Sequence, residues 1–178
     1  TLGRRTQKFV PLTKKTVRMY TCGPTVWDYA HIGNFRTYVF QDILRRYLEY
    51  KGYKGIQVTN ITDVDDKTIR QSKATGVSLR EYTKKYEEAY FEDIAALNSE
   101  KAERYPRATE HINEMVALVK RLVRKGAAYE AEGSVYFDVS KFKTYGKLSG
   151  TRLEELKSGA RVDSDEYGKD EARDFGLR

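Results

Sequence analysis

Residues 16–60 read TVRMYTCGPTVWDYAHIGNFRTYVFQDILRRYLEYKGYKGIQVTN, and the order of patterns in this stretch decides the fold. Apolar and polar side chains alternate over residues 16–21, which predicts a β-strand, and a Gly-Pro pair interrupts the pattern directly afterwards. Apolar residues then recur every four positions over residues 35–50, which predicts an amphipathic helix. Its two apolar rows are Val39, Ile43 and Tyr47, and Phe40, Leu44 and Leu48. The closing GIQVTN predicts a second strand, so the stretch is a βαβ unit with a parallel strand pair.

A second helix is predicted behind Ser78. Ser78 and Glu81 have the spacing of a capping box, in which both side chains satisfy backbone N–H groups at a helix start. The helix pattern that follows carries a stripe of three tyrosines, Tyr82, Tyr86 and Tyr90. We interpret these tyrosines as packing residues rather than as a surface that stacks RNA bases, because they share one helix face.

A third amphipathic helix, a hairpin and a charged tail are predicted in the last third of the chain. The helix pattern covers residues 112–125 and ends at a glycine. Two short strand patterns, residues 127–131 and 135–139, flank a Glu-Gly-Ser turn, which predicts a β-hairpin. Residues 163–174 are dense in Asp and Glu and predict a mobile linker.

The composition is that of a soluble, basic chain. Its 178 residues carry 33 Lys and Arg against 26 Asp and Glu, a net charge of +7. This charge fits a polyanionic partner such as RNA, and equally a solvated basic surface. The single Cys excludes an intramolecular disulfide and fits a reducing compartment. Since no apolar run approaches the ~18 residues of a membrane span, we expect a cytoplasmic protein that makes no use of a membrane.

The loop between the first strand and the helix, CGPTVWDYAHIGN at residues 22–34, is the segment best suited to chemistry. Ligands of open α/β sheets bind at the carboxyl ends of the strands, and a helix N-terminus offers unpaired N–H groups to an anion. His31 adds a donor at this point, and Gly33 lets a flat base approach the backbone. A histidine satisfied within the loop is the alternative, but the position between strand and helix favours a nucleotide site.

Several runs of the sequence resemble one enzyme family. His31-Ile32-Gly33-Asn34 is similar to the His-Ile-Gly-His signature of class I aminoacyl-tRNA synthetases, with Asn in the last place. The longer run over residues 22–38 resembles the cysteinyl-tRNA synthetase family nearly residue for residue. Four further runs match that family in order, namely NITDVDDK at 60–67, PRATEHI at 106–112, YGKLS at 145–149 and GARV at 159–162. The resemblance therefore covers almost the whole chain.

The resemblance implies an α/β fold, namely the first half of a Rossmann-like parallel-sheet nucleotide-binding domain with an inserted α+β connective subdomain. The domain half is expected over residues 1–98, and the subdomain, which faces the tRNA acceptor end, over residues 99–178. The implied enzyme is a ligase of protein biosynthesis that activates L-cysteine with ATP to cysteinyl-adenylate and transfers the cysteinyl group to cysteine tRNA. The family's second signature is absent here, so we expect an N-terminal fragment, inactive alone, of a monomeric enzyme.

The resemblance also implies roles for single residues. It makes His31 and Asn34 the catalytic residues, in contact with the phosphates of ATP. The implied ATP site consists of Pro24, Thr25, His31, Gly33 and Asn34, and the implied amino-acid pocket of Cys22, Gly23 and Thr62. Cys22 matches the family's first ligand for Zn²⁺, which prefers a substrate thiolate to a hydroxyl, and Mg²⁺ is expected with ATP. The other zinc ligands, a second Cys and a His with a nearby Glu, are expected beyond Arg178.

Residue chemistry alone leaves alternatives open at several positions. A lone Cys is more often a small buried hydrophobe than a metal ligand, and Thr62 fits a helix cap as well as a pocket. We interpret Asp63, Asp65 and Asp66 as capping and electrostatic residues at a helix start rather than as a cation site. Two other functions remain for the whole protein, namely a cysteine ligase that acts on an amino sugar and a truncated, non-catalytic paralogue that binds nucleotide or RNA.

Overall fold

The computed structural model describes residues 5–131, 133–150 and 174–177, which belong to two compact units. One unit is Phe9–Ile112, and the other is Asn113–Arg178 together with Thr1–Lys8. The elements in chain order are β1 (Thr16–Thr21), α1 (Ile32–Tyr50), β2 (Lys54–Thr59), α2 (Asp66–Thr75), α3 (Leu79–Ala96), a 3₁₀ turn (Ala108–His111), α4 (Ile112–Arg124), β3 (Ala128–Ala131), β4 (Ser134–Phe137), a second 3₁₀ turn (Val139–Lys141) and β5 (Phe175–Gly176). Within the described residues, no helix is long and apolar enough to cross a membrane.

The first unit is built on the predicted βαβ motif. β1 and β2 pair in parallel, with Thr16 opposite Lys54 and Thr21 opposite Thr59, and α1 connects them. The motif is therefore confirmed. α1 begins at Ile32 rather than near Phe35, because a side-chain cap extends the helix by one turn towards the amino terminus.

The outer edge of β2 is covered by residues 103–108, which act as a short third parallel strand. Isolated parallel bridges pair Val58 with Arg104 and Ile61 with Arg107. The backbone hydrogen bonds across this edge run from Glu103 N to Gln57 O (3.0 Å), Thr59 N to Arg104 O (3.1 Å), Ile61 N to Pro106 O (2.9 Å) and Ala108 N to Ile61 O (3.0 Å). Pro106 fits here because the pairing uses its carbonyl and needs no N–H group. Residues 99–112 thus lie with the strands, whereas the expected domain boundary after Asn98 stays a prediction.

α1 buries a different side from the one that its apolar residues predict. Tyr38 and Arg45 are its buried side chains, whereas Phe40, Ile43 and Tyr47 are 63%, 58% and 57% exposed. The helix itself is confirmed; in the described part of the chain its most buried side chains are Tyr38 and Arg45, while Val39 and Leu48 of the two apolar rows are half-buried.

An ionic cluster decides which side of α1 is buried. The Arg45 guanidinium lies 3.0 Å from Glu49, 3.3 Å from Glu100 and 2.7 Å from Glu103, and it also donates to the carbonyl of Lys101 at 3.0 Å. A guanidinium can be buried when carboxylates and carbonyls satisfy its charge and its N–H groups. Because this cluster is polar, it leaves no apolar periodicity in the sequence.

The hydrophobic core of the first unit contains residues of α1, of α3 and of the loop at residues 22–34, called the signature loop below. Its buried members are Val26, Tyr38, Ile61, Tyr90 and Ile94, and Val26 and Ile61 have no exposed surface. The rings of Tyr38 and Tyr90 pack edge to face, with centroids 5.3 Å apart, a favourable arrangement for aromatic pairs. Packing is thereby confirmed for Tyr90, and the loop is anchored in the core through Val26.

The second unit contains the predicted hairpin. β3 and β4 pair antiparallel, with Ala131 opposite Ser134, and β5 adds to β4 as a third strand. Most of the predicted charged linker, residues 163–174, lies outside the described residues. Its last member, Asp174, is buried and accepts hydrogen bonds from the Tyr129 hydroxyl (2.8 Å) and from the Val139 N–H (3.0 Å). The helix predicted over residues 112–125 is confirmed as α4.

Candidate functional site

The loop that follows β1 crosses the carboxyl end of β2 at very close range. The Gly23 N–H donates to Oδ1 of Asn60 (3.2 Å), and Nδ2 of Asn60 donates to Oγ1 of Thr62 (3.0 Å). A Cβ atom at position 23 would lie 1.9 Å from the Asn60 carbonyl oxygen and 2.8 Å from Cγ2 of Thr59, so the crossing requires glycine. The structure therefore brings the predicted pocket residues Gly23 and Thr62 together through Asn60, which no sequence pattern singled out.

The next residues of the loop pair with the chain beyond β2. The Thr62 N–H donates to the Pro24 carbonyl (2.9 Å), the Val26 N–H donates to the Thr62 carbonyl (3.1 Å), and Thr25 forms a parallel bridge with Thr62. Pro24 and Val26 are buried, whereas Thr25 is exposed. Of these predicted site residues, Thr25 therefore presents its side chain to solvent and Pro24 serves the pairing through its carbonyl.

His31 is the N-cap of α1. Its Nδ1 accepts a hydrogen bond from the Gly33 N–H at 2.9 Å, and Oδ1 of Asn34 accepts one from the His31 N–H at 3.1 Å. Because Nδ1 is an acceptor, the neutral imidazole carries its hydrogen on Nε2. The exposed ring thus offers an Nε2–H donor at the positive end of the helix dipole. The Asn34 amide uses its oxygen in the cap and retains its NH₂ group as a second donor.

Gly33 leaves room for the His31 ring. A Cβ atom at position 33 would lie 2.6 Å from Cε1 and 3.0 Å from Nδ1 of His31. Any side chain at this position would push the imidazole off the helix start. This contact is a reason for glycine in addition to the predicted approach of a base.

Cys22 lies at the end of β1 with an exposed side chain. Nε2 of Gln41, on α1, donates to its carbonyl oxygen at 3.2 Å. Burial, and next the interaction with Cys22, raise the pKa of the Tyr38 hydroxyl above its ordinary value. The described ranges contain no group of three Cys, His, Asp or Glu side chains that could hold a metal ion. The donors of these ranges therefore do not fit a complete Zn²⁺ site, which takes about four ligands or three with an open position.

The three aspartates behind Thr62 have separate roles. Asp65 caps α2 by accepting from the Lys67 N–H at 2.9 Å, and Asp66 lies in the first turn of that helix. Asp63 is buried instead and accepts hydrogen bonds from the N–H (2.9 Å) and the hydroxyl of Thr109. The predicted role at the start of α2 is confirmed for Asp65 and Asp66 but is wrong for Asp63, because the partner of Asp63 lies 46 residues away and leaves no local pattern.

The geometry of this loop agrees with a match to one protein family. Residues 8–178 match the family model described as the catalytic domain of class I (C) tRNA synthetases. The chain belongs to this family. The membership confirms the resemblance and the α/β fold inferred from the sequence, whereas the roles of the individual site residues stay predictions.

Curated relatives in the synthetase family are similar over nearly the whole chain. Cysteine–tRNA ligases of Pyrococcus horikoshii, Brachyspira hyodysenteriae and Methanosarcina mazei are 50%, 52% and 50% identical to it over 177, 178 and 177 residues. Each alignment covers 99% of this chain but only 37%, 38% and 37% of the relative. The chain therefore spans little more than a third of the length of these ligases.

Solved synthetases share the fold at much lower identity. LeuRS of Agrobacterium radiobacter K84, in a ternary complex with tRNA and LeuAMS, aligns with a TM-score of 0.57 at 18% identity. This alignment covers 74% of the present chain and 18% of the LeuRS chain. Methionyl-tRNA synthetase of Mycobacterium tuberculosis, in complex with methionyl-adenylate, aligns with a TM-score of 0.58 at 15% identity. This alignment covers 70% of the present chain and 33% of the methionyl-tRNA synthetase chain. At these identities the likeness supports the fold alone.

Proposed function

We propose that this chain is the first half of the catalytic domain of a cysteine–tRNA ligase and supplies the side of the site that binds the phosphates of ATP. Family membership and about 50% identity to cysteine–tRNA ligases support the assignment. The observation that carries the nucleotide site is the cap at His31, where an exposed Nε2–H lies at the start of the 19-residue helix α1. The unpaired N–H groups and the dipole of such a helix start both favour a phosphate.

In the proposed reaction, a carboxylate oxygen of L-cysteine attacks the α-phosphorus of ATP. The bond from that phosphorus to the pyrophosphate group breaks, which leaves cysteinyl-adenylate. A hydroxyl of the terminal ribose of cysteine tRNA then attacks the cysteinyl carbonyl carbon, and AMP departs. His31 and Asn34 donate hydrogen bonds to phosphate oxygens as negative charge moves onto pyrophosphate, an effect that depends on donors held in place beforehand. Thr25 and Gly33 line the nucleotide, and Mg²⁺ accompanies it.

Cys22, Gly23 and Thr62 are the proposed part of the cysteine pocket. Their backbone is held by this chain's own hydrogen bonds, from Gln41 to Cys22 and from Gly23 to Asn60. A Zn²⁺ ion at Cys22 would need its other ligands from outside the residues that the structure describes. When bound there, it would supply a soft Lewis acid that prefers a thiolate to a hydroxyl.

We assign the second half of the chain to the handling of tRNA. Residues 99–178 are proposed as the connective subdomain at the acceptor end, and residues 1–98 as the first half of the nucleotide-binding domain. The separate compact unit Asn113–Arg178 supports an extra module. The net charge of +7 supports a basic, RNA-binding protein as a whole, since residues 99–178 themselves carry 16 Lys and Arg against 15 Asp and Glu. The enzyme is proposed to act as a monomer in the cytoplasm.

The proposal is tested by ATP–pyrophosphate exchange with the full-length protein that carries these residues. We expect exchange that depends on cysteine and is far weaker with serine. The variant His31→Ala should lower kcat about 10²–10³-fold, as the loss of one donor to a developing charge does. Transfer of the cysteinyl group to cysteine tRNA, rather than to an amino sugar, separates the ligase from its nearest rival.

The matched control is Asp65→Ala. Asp65 caps α2 as His31 caps α1, so both variants should lower the free energy of unfolding by about 1 kcal/mol. Only His31→Ala should lower kcat. Equal kcat in the two variants would refute the role of His31, and full-length protein without cysteine-dependent exchange would refute the proposed function.

A further inference from the structure

Residues 27–30 form an arc of the signature loop, between the buried Val26 and the cap at His31; Asp28 and Tyr29 are exposed, and Trp27 and Ala30 are half-buried. Their backbone has left the pairing with Thr62 and has not yet entered α1. The angle at which the chain reaches His31 therefore depends on what holds this arc. Two neighbouring tyrosines of α3 contact it.

Tyr82 supplies the polar contact. Its hydroxyl donates to the Trp27 carbonyl at 2.7 Å, over a separation of 55 residues. Burial, a hydrogen bond with Tyr86 and the charge of Asp28 raise the pKa of Tyr82 to about 12. The hydroxyl therefore keeps its proton, and remains a donor, throughout the physiological pH range.

Tyr86 supplies the packing contact, one helical turn further along α3. Its ring meets that of Tyr29 edge to face, with centroids 5.1 Å apart, and lies 5.1 Å from the ring of Tyr82. Nζ of Lys85 lies 5.5 Å from the Tyr29 ring and 5.2 Å from the Tyr86 ring, a favourable cation–π distance. The two tyrosines of α3 therefore contact residues 27–30, which lead to His31, through the Trp27 carbonyl and the Tyr29 ring.

We propose that Tyr82 is a positioning residue for the activation of cysteine, because its hydrogen bond to the Trp27 carbonyl sets the path of the loop that presents His31. The inference rests on the proposed function. It gives α3 a part in the reaction although Tyr82 itself touches no substrate. A displacement of about 1 Å at a reacting group can cost about 10²-fold in rate, so one backbone anchor at Trp27, four residues before the N-cap His31, matters for kcat.

The test compares Tyr82→Phe with Tyr105→Phe. Both changes remove a half-buried hydroxyl that bonds to the backbone, since the Tyr105 oxygen accepts from the Ala102 N–H at 2.9 Å, but only Tyr82 contacts the loop. In the full-length protein, Tyr82→Phe should lower kcat of cysteine-dependent exchange by about 10- to 100-fold. The KM values for ATP and cysteine should change little, and Tyr105→Phe should leave kcat unchanged.

A second readout needs no activity. Trp27 is the single tryptophan of these 178 residues, so in full-length protein with any further tryptophans replaced by Phe its fluorescence reports on the loop. Acrylamide should quench it more strongly in Tyr82→Phe than in the wild type or in Tyr105→Phe, while the circular dichroism of all three stays the same. Unchanged kcat and unchanged quenching in Tyr82→Phe would overturn the inference, and so would equal effects of both variants. If the wild type shows no exchange, the proposed function fails, and the quenching comparison still decides whether Tyr82 holds the loop.

Discussion

The two outer edges of the parallel strand pair are finished in different ways. The edge of β2 is covered by residues 103–108 through two parallel bridges and several backbone hydrogen bonds. In the described part of the chain β1 pairs with β2 alone, and Tyr20 on β1 is 69% exposed. The covered side carries the buried Asp63, which accepts hydrogen bonds from Thr109, whereas Cys22 and His31 follow the open strand.

The covered edge of β2 is therefore the structural side of the strand pair, and the proposed site residues lie after the open strand, β1. In doubly wound sheets, ligands bind in the crevice outside the carboxyl ends of the strands, where the order of strands reverses. The loop that follows β1 lies at the carboxyl end of the parallel pair, and β2 leads away from it towards the covered edge. The residues after β2, Asn60 and Thr62, hold the loop that follows β1, while that loop carries the proposed site residues Cys22 and His31.

The largest expected effect comes from Gly23, where the loop after β1 crosses Asn60, the residue that follows β2. Gly23→Ala would place a methyl group 1.9 Å from a backbone oxygen of Asn60, and backbone cannot move aside as a side chain can. We expect a loss of about 3 kcal/mol in the free energy of unfolding, the upper end for overpacking, measured by urea unfolding.

Gly55→Ala, on β2, is the control for this prediction. There the nearest atom to the new methyl group is Oε1 of Glu49, 2.7 Å away at the end of a flexible side chain. A loss below about 1 kcal/mol is expected, as for a substitution that nearby atoms can absorb. A loss for Gly23→Ala as small as the one expected for Gly55→Ala would mean that the loop is not held tightly against the chain after β2.

The second prediction compares Arg45, which contacts Glu103 at the covered edge, with Arg18 on the open strand β1. Arg45→Met removes the cation that Glu49, Glu100 and Glu103 surround, and Arg18→Met removes an exposed side chain of β1. The first change should cost about 3 kcal/mol, the lower end for a broken buried ion pair, because the three carboxylates are each about a third exposed and regain some hydration. The second should stay within about 0.5 kcal/mol. Urea unfolding of both variants provides the comparison, and a small loss for Arg45→Met would show that the covered edge does not depend on this cluster.

Local patterns predicted the parts of the fold whose partners are near in sequence. The βαβ unit, α4 and the hairpin follow from periodicity and turn residues. The position of His31 between a strand and a helix was predicted from the same patterns, whereas its role in a site stays a prediction. The N-cap itself could have been inferred, since Asn34 has the capping-box position relative to His31.

Contacts over long separations were not predictable in this way. The strand-like pairing of residues 103–108 involves a proline and charged residues with no alternation, and Arg45 is buried through ions rather than through apolar spacing. The Tyr82 hydroxyl and Asp63 find partners 55 and 46 residues away. Such interactions depend on where the folded backbone places two segments, which no window of 11–18 residues contains.

The smallest expected effect concerns pH and the Glu103 carboxylate, which links the covered edge to both β2 and α1. Although burial raises its pKa, hydrogen bonds from the Gln57 N–H and from Arg45, together with the charge of Arg45, lower the pKa of Glu103 below its ordinary value. A carboxyl with a depressed pKa in the folded state stabilises the protein above its unfolded pKa, about 4.3, and this contribution is lost as the pH falls through the folded pKa. The free energy of unfolding of the wild type should therefore exceed that of Glu103→Gln at neutral pH, and the difference should shrink below about pH 4. Glu92→Gln, at an exposed position of α3, serves as the control in urea unfolding at a series of pH values. A difference that stays constant from neutral to acid pH would show that Glu103 acts through packing and not through its charge.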